Sequence, residues 1–175
     1  MKHIYTILIL ALLISANCRA QESIFQIAKS GDNAKLTTWI TDHVADINIQ
    51  DDKGFTLLII ASYRNNVEAV KNLLANGANP NLKDINGNTA LMGICFKGHT
   101  EIAELLLENG ADVNITNASE STALIYAATF GHLEIAKLLL QNGANANAKD
   151  ANNRTALDYA KKQNNKKMQK LLKKA

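Results

Sequence analysis

Apolar residues along most of this chain recur at intervals of three and four, the spacing of helices that bury one face. Residues 133–140 show the pattern most clearly, and a shorter apolar stretch at 123–128 precedes them, with Gly131 between the two. Thr122 stands directly before the first stretch, where its hydroxyl can accept backbone N–H groups of the first helical turn. Gly143 follows the second stretch and suits the left-handed residue beyond a helix end. The pattern predicts a pair of short helices joined by a glycine turn.

This helix pair recurs along the chain with a fixed period of 33 residues. One series of residues marks the helix starts, a second marks the helix ends, and a third lies in the loop that follows. The members of the three series are Thr56, Thr89, Thr122 and Thr155; Gly77, Gly110 and Gly143; and Asn81, Asn114 and Asn147. Three interlocked series with one period indicate a repeat protein, in which stacked units share a continuous core.

Two segments, residues 98–114 and 131–145, closely resemble the consensus of the ankyrin repeat. The resemblance covers residues 22–175 and implies an all-α ankyrin-repeat solenoid of stacked helix-turn-helix units with short β-hairpin tips. It divides the domain, residues 21–175, into an N-terminal cap, three full repeats and a C-terminal cap. The expected units are residues 21–50, 51–83, 84–116, 117–149 and 150–175. Because the family binds proteins, the resemblance implies a non-catalytic protein–protein interaction module.

The hairpin before each threonine departs from the family pattern in two units. The usual glycine is replaced by Glu120 in the third repeat and by Asn153 in the C-terminal cap. Asparagine tolerates a positive φ, whereas glutamate does so poorly. We therefore expect a distorted turn before Thr122.

The first 20 residues have the features of a secretory signal peptide. Lys2 precedes an apolar run at residues 7–14, which is too short to span a membrane. Cleavage after Ala20 would leave small residues at the −3 and −1 positions. A composition rich in Asn, Lys and Ile, with few cysteines, favours a bacterial and periplasmic protein. Lipid attachment at Cys18 and release outside the cell stay open as alternatives.

Charge is distributed unevenly along the remaining chain. Residues 21–160 carry 10 Lys or Arg and 16 Asp or Glu, whereas residues 161–175 carry seven Lys and no acid. These lysines could bind an anionic membrane or nucleic acid, but cations also suit a helix C-terminus and keep a terminal cap in contact with water. We favour the cap, and expect a monomer with no nucleic acid partner and no stable membrane span.

The resemblance implies a concave binding face, formed by the hairpin tips and the exposed side of each first helix. Counted from the repeat threonine, the family's contact positions are about −4, −3, −1, +4, +7 and +8, and six aromatic residues fall on them. The candidate partner-binding residues are Phe55, Tyr63, Arg64, Phe96, Lys97, Tyr126, Phe130, Arg154 and Tyr159. Aromatic and arginine side chains commonly supply binding free energy at interfaces. Packing between neighbouring helices is the alternative interpretation, and it is strongest for Tyr126, Phe130 and Tyr159.

Side chains suited to catalysis or metal binding occur singly. Cys95 and His99 are four residues apart, but Cys95 occupies the small buried position that Ala128 fills one repeat later. His43, His99 and His132 lie on separate repeats and lack the spacing of metal ligands. We therefore expect no enzyme activity, no cofactor and no metal.

The sequence thus predicts an exported scaffold that offers aromatic and cationic side chains to a protein partner. Resemblance to exported bacterial members of the family implies support of an oxidative-stress enzyme such as catalase. A secreted effector acting on host proteins, a membrane-anchored lipoprotein scaffold and a divergent enzyme stay open as alternatives.

Overall fold

The computed structural model describes residues 24–175, and in this range the chain is built from ten short α-helices. Their bounds are α1 (residues 24–30), α2 (Asn33–Asp42), α3 (Leu57–Tyr63), α4 (Val67–Ala75), α5 (Ala90–Lys97), α6 (Thr100–Glu108), α7 (Ala123–Phe130), α8 (Leu133–Gln141), α9 (Ala156–Lys162) and α10 (Lys166–Leu172). A 3-10 turn, Val44–Asp46, follows α2. Among these residues no helix is long and apolar enough to cross a membrane. The predicted signal peptide, residues 1–20, and the alternative lipid attachment at Cys18 lie outside the described residues.

The helices pack in two layers, which correspond to the first and second helix of each unit. α3, α5, α7 and α9 pack side by side in one layer, and α2, α4, α6, α8 and α10 form the other. From α3 onward, each first helix also packs against the second helix of its own unit. The core lies between the layers and includes fully buried residues such as Ile94, Cys95 and Leu106. The predicted all-α repeat solenoid is confirmed.

From α3 onward, each first helix begins at one of the predicted threonines. The hydroxyls of Thr56, Thr89, Thr122 and Thr155 accept a hydrogen bond from the backbone N–H three residues later, at 3.1, 3.4, 3.4 and 3.3 Å. Such a cap stabilises a helix by about 1 kcal/mol. Gly143 follows α8 with a φ of 83°, as predicted for the residue beyond the helix end. The periodic residues therefore fix where the helices start and stop.

The hairpin tips are tight turns rather than strands. Within residues 24–175, β pairing is limited to one antiparallel bridge, between Gln50 and Thr56. A side chain five residues before each threonine closes the turn by accepting two backbone N–H groups, at 2.8–3.0 Å. These side chains are Asp51, Asp84, Asn117 and Asp150. Turns shaped by side-chain hydrogen bonds therefore stand where short β-hairpin tips were predicted, and within residues 24–175 only the first of them has any β pairing.

Neighbouring units are joined by equivalent hydrogen bonds. In the loops after the second helices, Asn81 accepts from the backbone N–H of Asp112 at 2.8 Å and donates to the carbonyl of Gly110 at 3.0 Å. Asn114 makes the same two bonds with the next unit, which gives two of the three periodic asparagines a shared structural role. At the hairpin tips, a backbone N–H donates to the preceding tip at 2.9–3.0 Å. The donors are Ile85, Ala118 and Ala151.

The turn before Thr122 is regular, so the predicted distortion was wrong. Glu120 adopts a φ of 58°, and its N–H donates to the Asn117 carbonyl at 2.9 Å. Gly54 and Gly87 make the same bond at the same length in their own turns, with φ values of 74° and 79°. The amide oxygen of Asn117 accepts N–H groups on both sides of Glu120, and these bonds offset the strain of a left-handed glutamate.

Candidate functional site

An open groove of about 590 Å³ lies along α3 and α5, below the hairpins that precede them. Its wall combines residues from four successive units, from Lys29 in the first to Tyr126 in the fourth, because the 33-residue period brings equivalent positions side by side. The apolar and aromatic side chains of the wall are Phe55, Ile59, Ile60, Tyr63, Met92, Phe96 and Tyr126. The groove therefore belongs to the stacked first helices and to no single repeat.

Four aromatic rings form a continuous row at the edge of the groove. Tyr63 and Phe96 lie nearly parallel with centroids 6.4 Å apart, and Phe130 meets Phe96 edge-on at 4.6 Å. Tyr126 lies 6.3 Å from Phe130 and completes this aromatic row. Tyr63, Phe96 and Phe130 are 46%, 40% and 44% exposed. The first two rings stack because they are one period apart, whereas Phe130 comes one residue later in its repeat and lies nearly perpendicular to Phe96.

Two cations lie at the same edge. The Lys97 ammonium is 4.4 Å from the centroid of the Tyr63 ring and 5.6 Å from that of Phe96. At an exposed site, a cation–π contact of this kind stabilises by about 0.5–1 kcal/mol. Arg64 is exposed and lines the groove. Within the described part of the chain, neither Arg64 nor Lys97 pairs with a carboxylate.

The carboxylates of the adjacent hairpins are already hydrogen-bonded. Asp84 lines the groove but accepts two backbone N–H groups and, at 3.3 Å, the side-chain amide of Asn88. Asp51 also accepts two backbone N–H groups, and its second oxygen lies 3.6 Å from the ammonium of Lys29. The carboxylates of Asp51 and Asp84 are thus engaged within their turns, while the two cations face solvent.

His99 and His132 form hydrogen bonds with the backbone of residues in the aromatic row. The Nε2 of His132 is 3.3 Å from the backbone carbonyl of Phe96, and the ring of His99 bonds the backbone of Tyr63 one unit earlier. Burial lowers the pKa of His99, the bond to Tyr63 opposes this change, and the positive charge of Lys97 lowers the pKa further. Each histidine therefore fixes the backbone of an aromatic residue in the preceding repeat.

Two of the predicted site tyrosines have a structural role. The hydroxyl of Tyr159 donates to Asp150 at 2.5 Å, and the hydroxyl of Tyr126 accepts from the side-chain amide of Asn117 at 3.0 Å. The bond to Asp150, together with burial, raises the pKa of Tyr159. Burial acts to raise the pKa of Asp150, but the hydrogen bonds from Tyr159 and the turn backbone bring it below its usual range. These tyrosines brace the turns of the third repeat and the C-terminal cap.

The nine predicted residues therefore divide by position. Tyr63, Arg64, Phe96, Lys97 and Phe130 are exposed around the groove and the aromatic row. Phe55 and Tyr126 are half-buried and line the groove. Arg154 and Tyr159 lie in the C-terminal cap and do not line the groove, although they contact each other. That any of the nine contacts a partner stays a prediction.

Sequence reasoning missed three residues that shape this surface. Met92 lines the groove three residues after its threonine, where the other units carry Ile59, Ile125 and Asp158. Gly93 lines it one residue later, where other units carry Ile60, Tyr126 and Tyr159. Ile85 is 69% exposed at the tip of the second hairpin. A glycine inside a predicted helix, at a position that is bulky elsewhere, was the available signal for Gly93.

Cys95 is a core residue, as its position predicted. Its side chain is fully buried, as is Ala128 at the equivalent position of the next repeat. Burial raises the pKa of the Cys95 thiol far above its usual range, so the thiol stays protonated at neutral pH. In residues 24–175, no three His, Cys, Asp or Glu side chains are grouped to hold a metal ion.

The fold and the groove together define a class of protein: a repeat-built scaffold whose exposed surface crosses several units. Two family models match the chain, ankyrin repeats (3 copies) over residues 24–117 and ankyrin repeats (many copies) over residues 106–160. Because the first match alone covers more than half of the chain, the protein belongs to the ankyrin-repeat family. Domains of this family are generally protein–protein interaction modules and are typically non-catalytic. No curated protein matches the chain at a significant level.

Proposed function

We propose that this protein is a non-catalytic scaffold that binds a protein partner through the groove and the aromatic row. The carrying observation is the set of three neighbouring aromatic rings that are 40–46% exposed. Exposed apolar patches of this kind mark interaction sites more often than single exposed side chains do. Truncation of an anchoring aromatic at an interface commonly costs roughly 2 kcal/mol or more of binding free energy.

The rings also satisfy a second requirement for an interface, which is order before binding. Contacts within the row restrict the rings of Tyr63 and Phe96 in the unbound protein, and hydrogen bonds from the two histidines fix the backbone that carries these rings. A pre-ordered side chain loses little conformational entropy on association. The row therefore supports binding of a folded or extended protein surface without rearrangement of the scaffold.

A crosslinked pull-down from the native compartment tests the proposal. The tagged protein is compared with a variant carrying Phe55→Ala, Phe96→Ala and Phe130→Ala, and circular dichroism checks that both fold. Val44→Ala is the matched control, because Val44 is 48% exposed in the N-terminal cap and does not line the groove. We expect one partner to appear with the native and control proteins and to vanish with the triple variant. Capture of the same proteins by all three would refute the proposal.

Export belongs to the same proposal and is supported by the sequence of residues 1–20. We propose a periplasmic monomer, divided into units as the repeat period suggests, that supports an oxidative-stress enzyme. Cell fractionation separates this role from that of a secreted effector, since an effector would leave the cell. Acyl-chain labelling at Cys18 would identify a lipoprotein scaffold instead.

A further inference from the structure

Gly93 forms a notch in the wall of the groove. Its position, four residues after the repeat threonine, carries Ile60, Tyr126 and Tyr159 in the other units. A Cβ atom built on Gly93 would meet only the Cδ2 of Tyr63 within 4 Å, at 3.6 Å, which is an ordinary contact. The fold therefore has room at this position for at least a methyl group that the sequence does not supply.

The notch lies in the apolar part of the groove. Gly93 and Phe96 are three residues apart in α5 and share a helix face, and Met92 and Tyr126 also line the groove. A glycine within a helix costs about 0.5–1 kcal/mol relative to alanine. Because alanine would fit, backbone geometry does not require this glycine. An open, apolar notch is the feature that the glycine supplies.

The groove also has a positive edge. Arg64 and Lys97 lie beside the apolar wall without an acidic partner in the described part of the chain, while Asp51 and Asp84 are held within their turns. Asp84 is the one carboxylate among the residues that line the groove, so an anionic ligand would meet the two cations and a single acidic side chain that is already hydrogen-bonded. This charge arrangement favours an acidic partner and disfavours a basic one.

We infer that the groove takes an acidic peptide segment of the protein partner, with one bulky apolar side chain seated in the notch at Gly93. Carboxylates that flank this side chain pair with Arg64 and Lys97. A groove of about 590 Å³ is larger than a single side chain, and the aromatic row continues beyond it to Phe130. An extended segment fills this length, whereas a small free ligand would leave the row uncovered. The inference rests on the proposed function and specifies its partner chemistry.

Selection from a displayed library of random peptides tests the inference without knowledge of the natural partner. The purified protein is the bait, and selected peptides are then measured by fluorescence anisotropy. We expect selected peptides to be enriched in Asp and Glu around one Phe, Leu or Trp. Enrichment of basic or uncharged peptides, or no enrichment over a bait with Gly93→Leu, overturns the inference.

Two variants examine the two halves of the site. Gly93→Leu fills the notch, and Arg64→Glu with Lys97→Glu reverses the edge charge. Because two exposed ion pairs are replaced by repulsion, we expect roughly tenfold weaker peptide binding for the charge variant at low salt. The difference should shrink as sodium chloride rises from about 0.05 to about 0.5 M, because salt screens exposed charges. We expect Gly93→Leu to weaken peptide binding by a similar factor relative to the parent protein, and this factor should change little as salt is added.

The matched control changes the net charge of the protein by the same amount, but at a site outside the groove. Lys166→Glu with Lys170→Glu alters exposed lysines of α10, outside the groove, and should leave peptide binding unchanged. If the control weakened peptide binding as much as the charge variant does, the weakening would be due to net charge alone, and the inference would be overturned. Displacement of the peptide by phenylacetate at the same affinity would assign the groove to a small aromatic acid and overturn it as well.

The outcomes also separate this inference from the proposed function. If the pull-down partner depends on Phe55, Phe96 and Phe130 but is insensitive to Gly93→Leu and to the charge variant, only the peptide chemistry is wrong. If the pull-down is the same for the triple variant and its control, the proposed function itself is wrong, whatever the library returns.

Discussion

Replacing Gly93 with alanine should stabilise the protein, whereas the same replacement at Gly110 should destabilise it. Gly93 lies inside α5 with an ordinary helical backbone, and Gly110 lies after α6 with a φ of 84°. Neither site is crowded, because a Cβ atom would lie 3.6 Å from Tyr63 at the first and more than 4 Å from any other heavy atom at the second. The pair therefore isolates backbone conformation from packing.

The expected magnitudes follow from this geometry. Alanine at Gly93 should raise the free energy of unfolding by about 0.5–1 kcal/mol, because it restricts the unfolded chain and suits a helix. Alanine at Gly110 gains a similar entropic benefit but must adopt a left-handed backbone that costs about 1–2 kcal/mol. We expect a net loss of about 0.5–1 kcal/mol at Gly110. In a domain of this size, each change shifts the Tm by roughly 2–3 °C, in opposite directions.

Urea unfolding followed by far-ultraviolet circular dichroism measures both differences. The m-values of the variants and the parent protein must agree, because repeat proteins can unfold in parts and then give no single free energy. Loss of stability at Gly93 would mean that the notch is occupied or that its backbone is strained, and would refute the reasoning. A higher free energy of unfolding for Gly110→Ala would refute the cost that we assign to a left-handed backbone at alanine.

Three further predictions concern single side chains. Ser62→Ala should raise the free energy of unfolding by about 1 kcal/mol, because the Ser62 hydroxyl is buried without a hydrogen-bond partner in the described structure; a urea midpoint at or below that of the parent would contradict this. Glu120→Gly should raise the free energy of unfolding by about 0.5–1 kcal/mol, because the strain of a left-handed glutamate that it removes exceeds the entropy that a freer unfolded chain gains. Urea unfolding with an unchanged m-value checks this. Asp150→Asn should lower stability at neutral pH and weaken its dependence on acid. The folded-state pKa of Asp150 lies below 3.8, so its carboxylate stabilises the fold above roughly pH 4, and that contribution disappears as the pH falls through the lower pKa. Equal acid-unfolding profiles for the variant and the parent would exclude this role, and Asn117, which closes the equivalent turn, shows that the amide fits.

Local features of the sequence were sufficient to predict the helices and the principal aromatic positions. Thr56 and its equivalents cap helices through bonds to residues three positions away, so their effect is encoded within one turn. Tyr63 and Phe96 meet because they are one period apart, and any regular stack brings equivalent positions together. Position within the repeat was enough in both cases.

Features that depend on a neighbour's side chain could not be predicted in this way. The regular turn at Glu120 follows from the two N–H groups that Asn117 accepts, and the residue type alone gave the wrong expectation. Tyr159 resembles Phe96 as a contact candidate, yet its hydroxyl is committed to Asp150. The notch at Gly93 is defined by the surrounding side chains and by the absence of its own, which a search for contact residues overlooks.

The equivalent hydrogen bonds at successive junctions have an evolutionary consequence. Asn81 and Asn114 each offer the following unit the same donor and acceptor, and the carbonyls of the hairpin tips each accept the same backbone N–H from it. Recombination can therefore insert or remove a whole 33-residue unit, and the newly joined surfaces still match. The groove does not share this freedom, because Tyr63, Gly93 and Tyr126 come from three different units. The length of the stack can vary while selection keeps those three units adjacent.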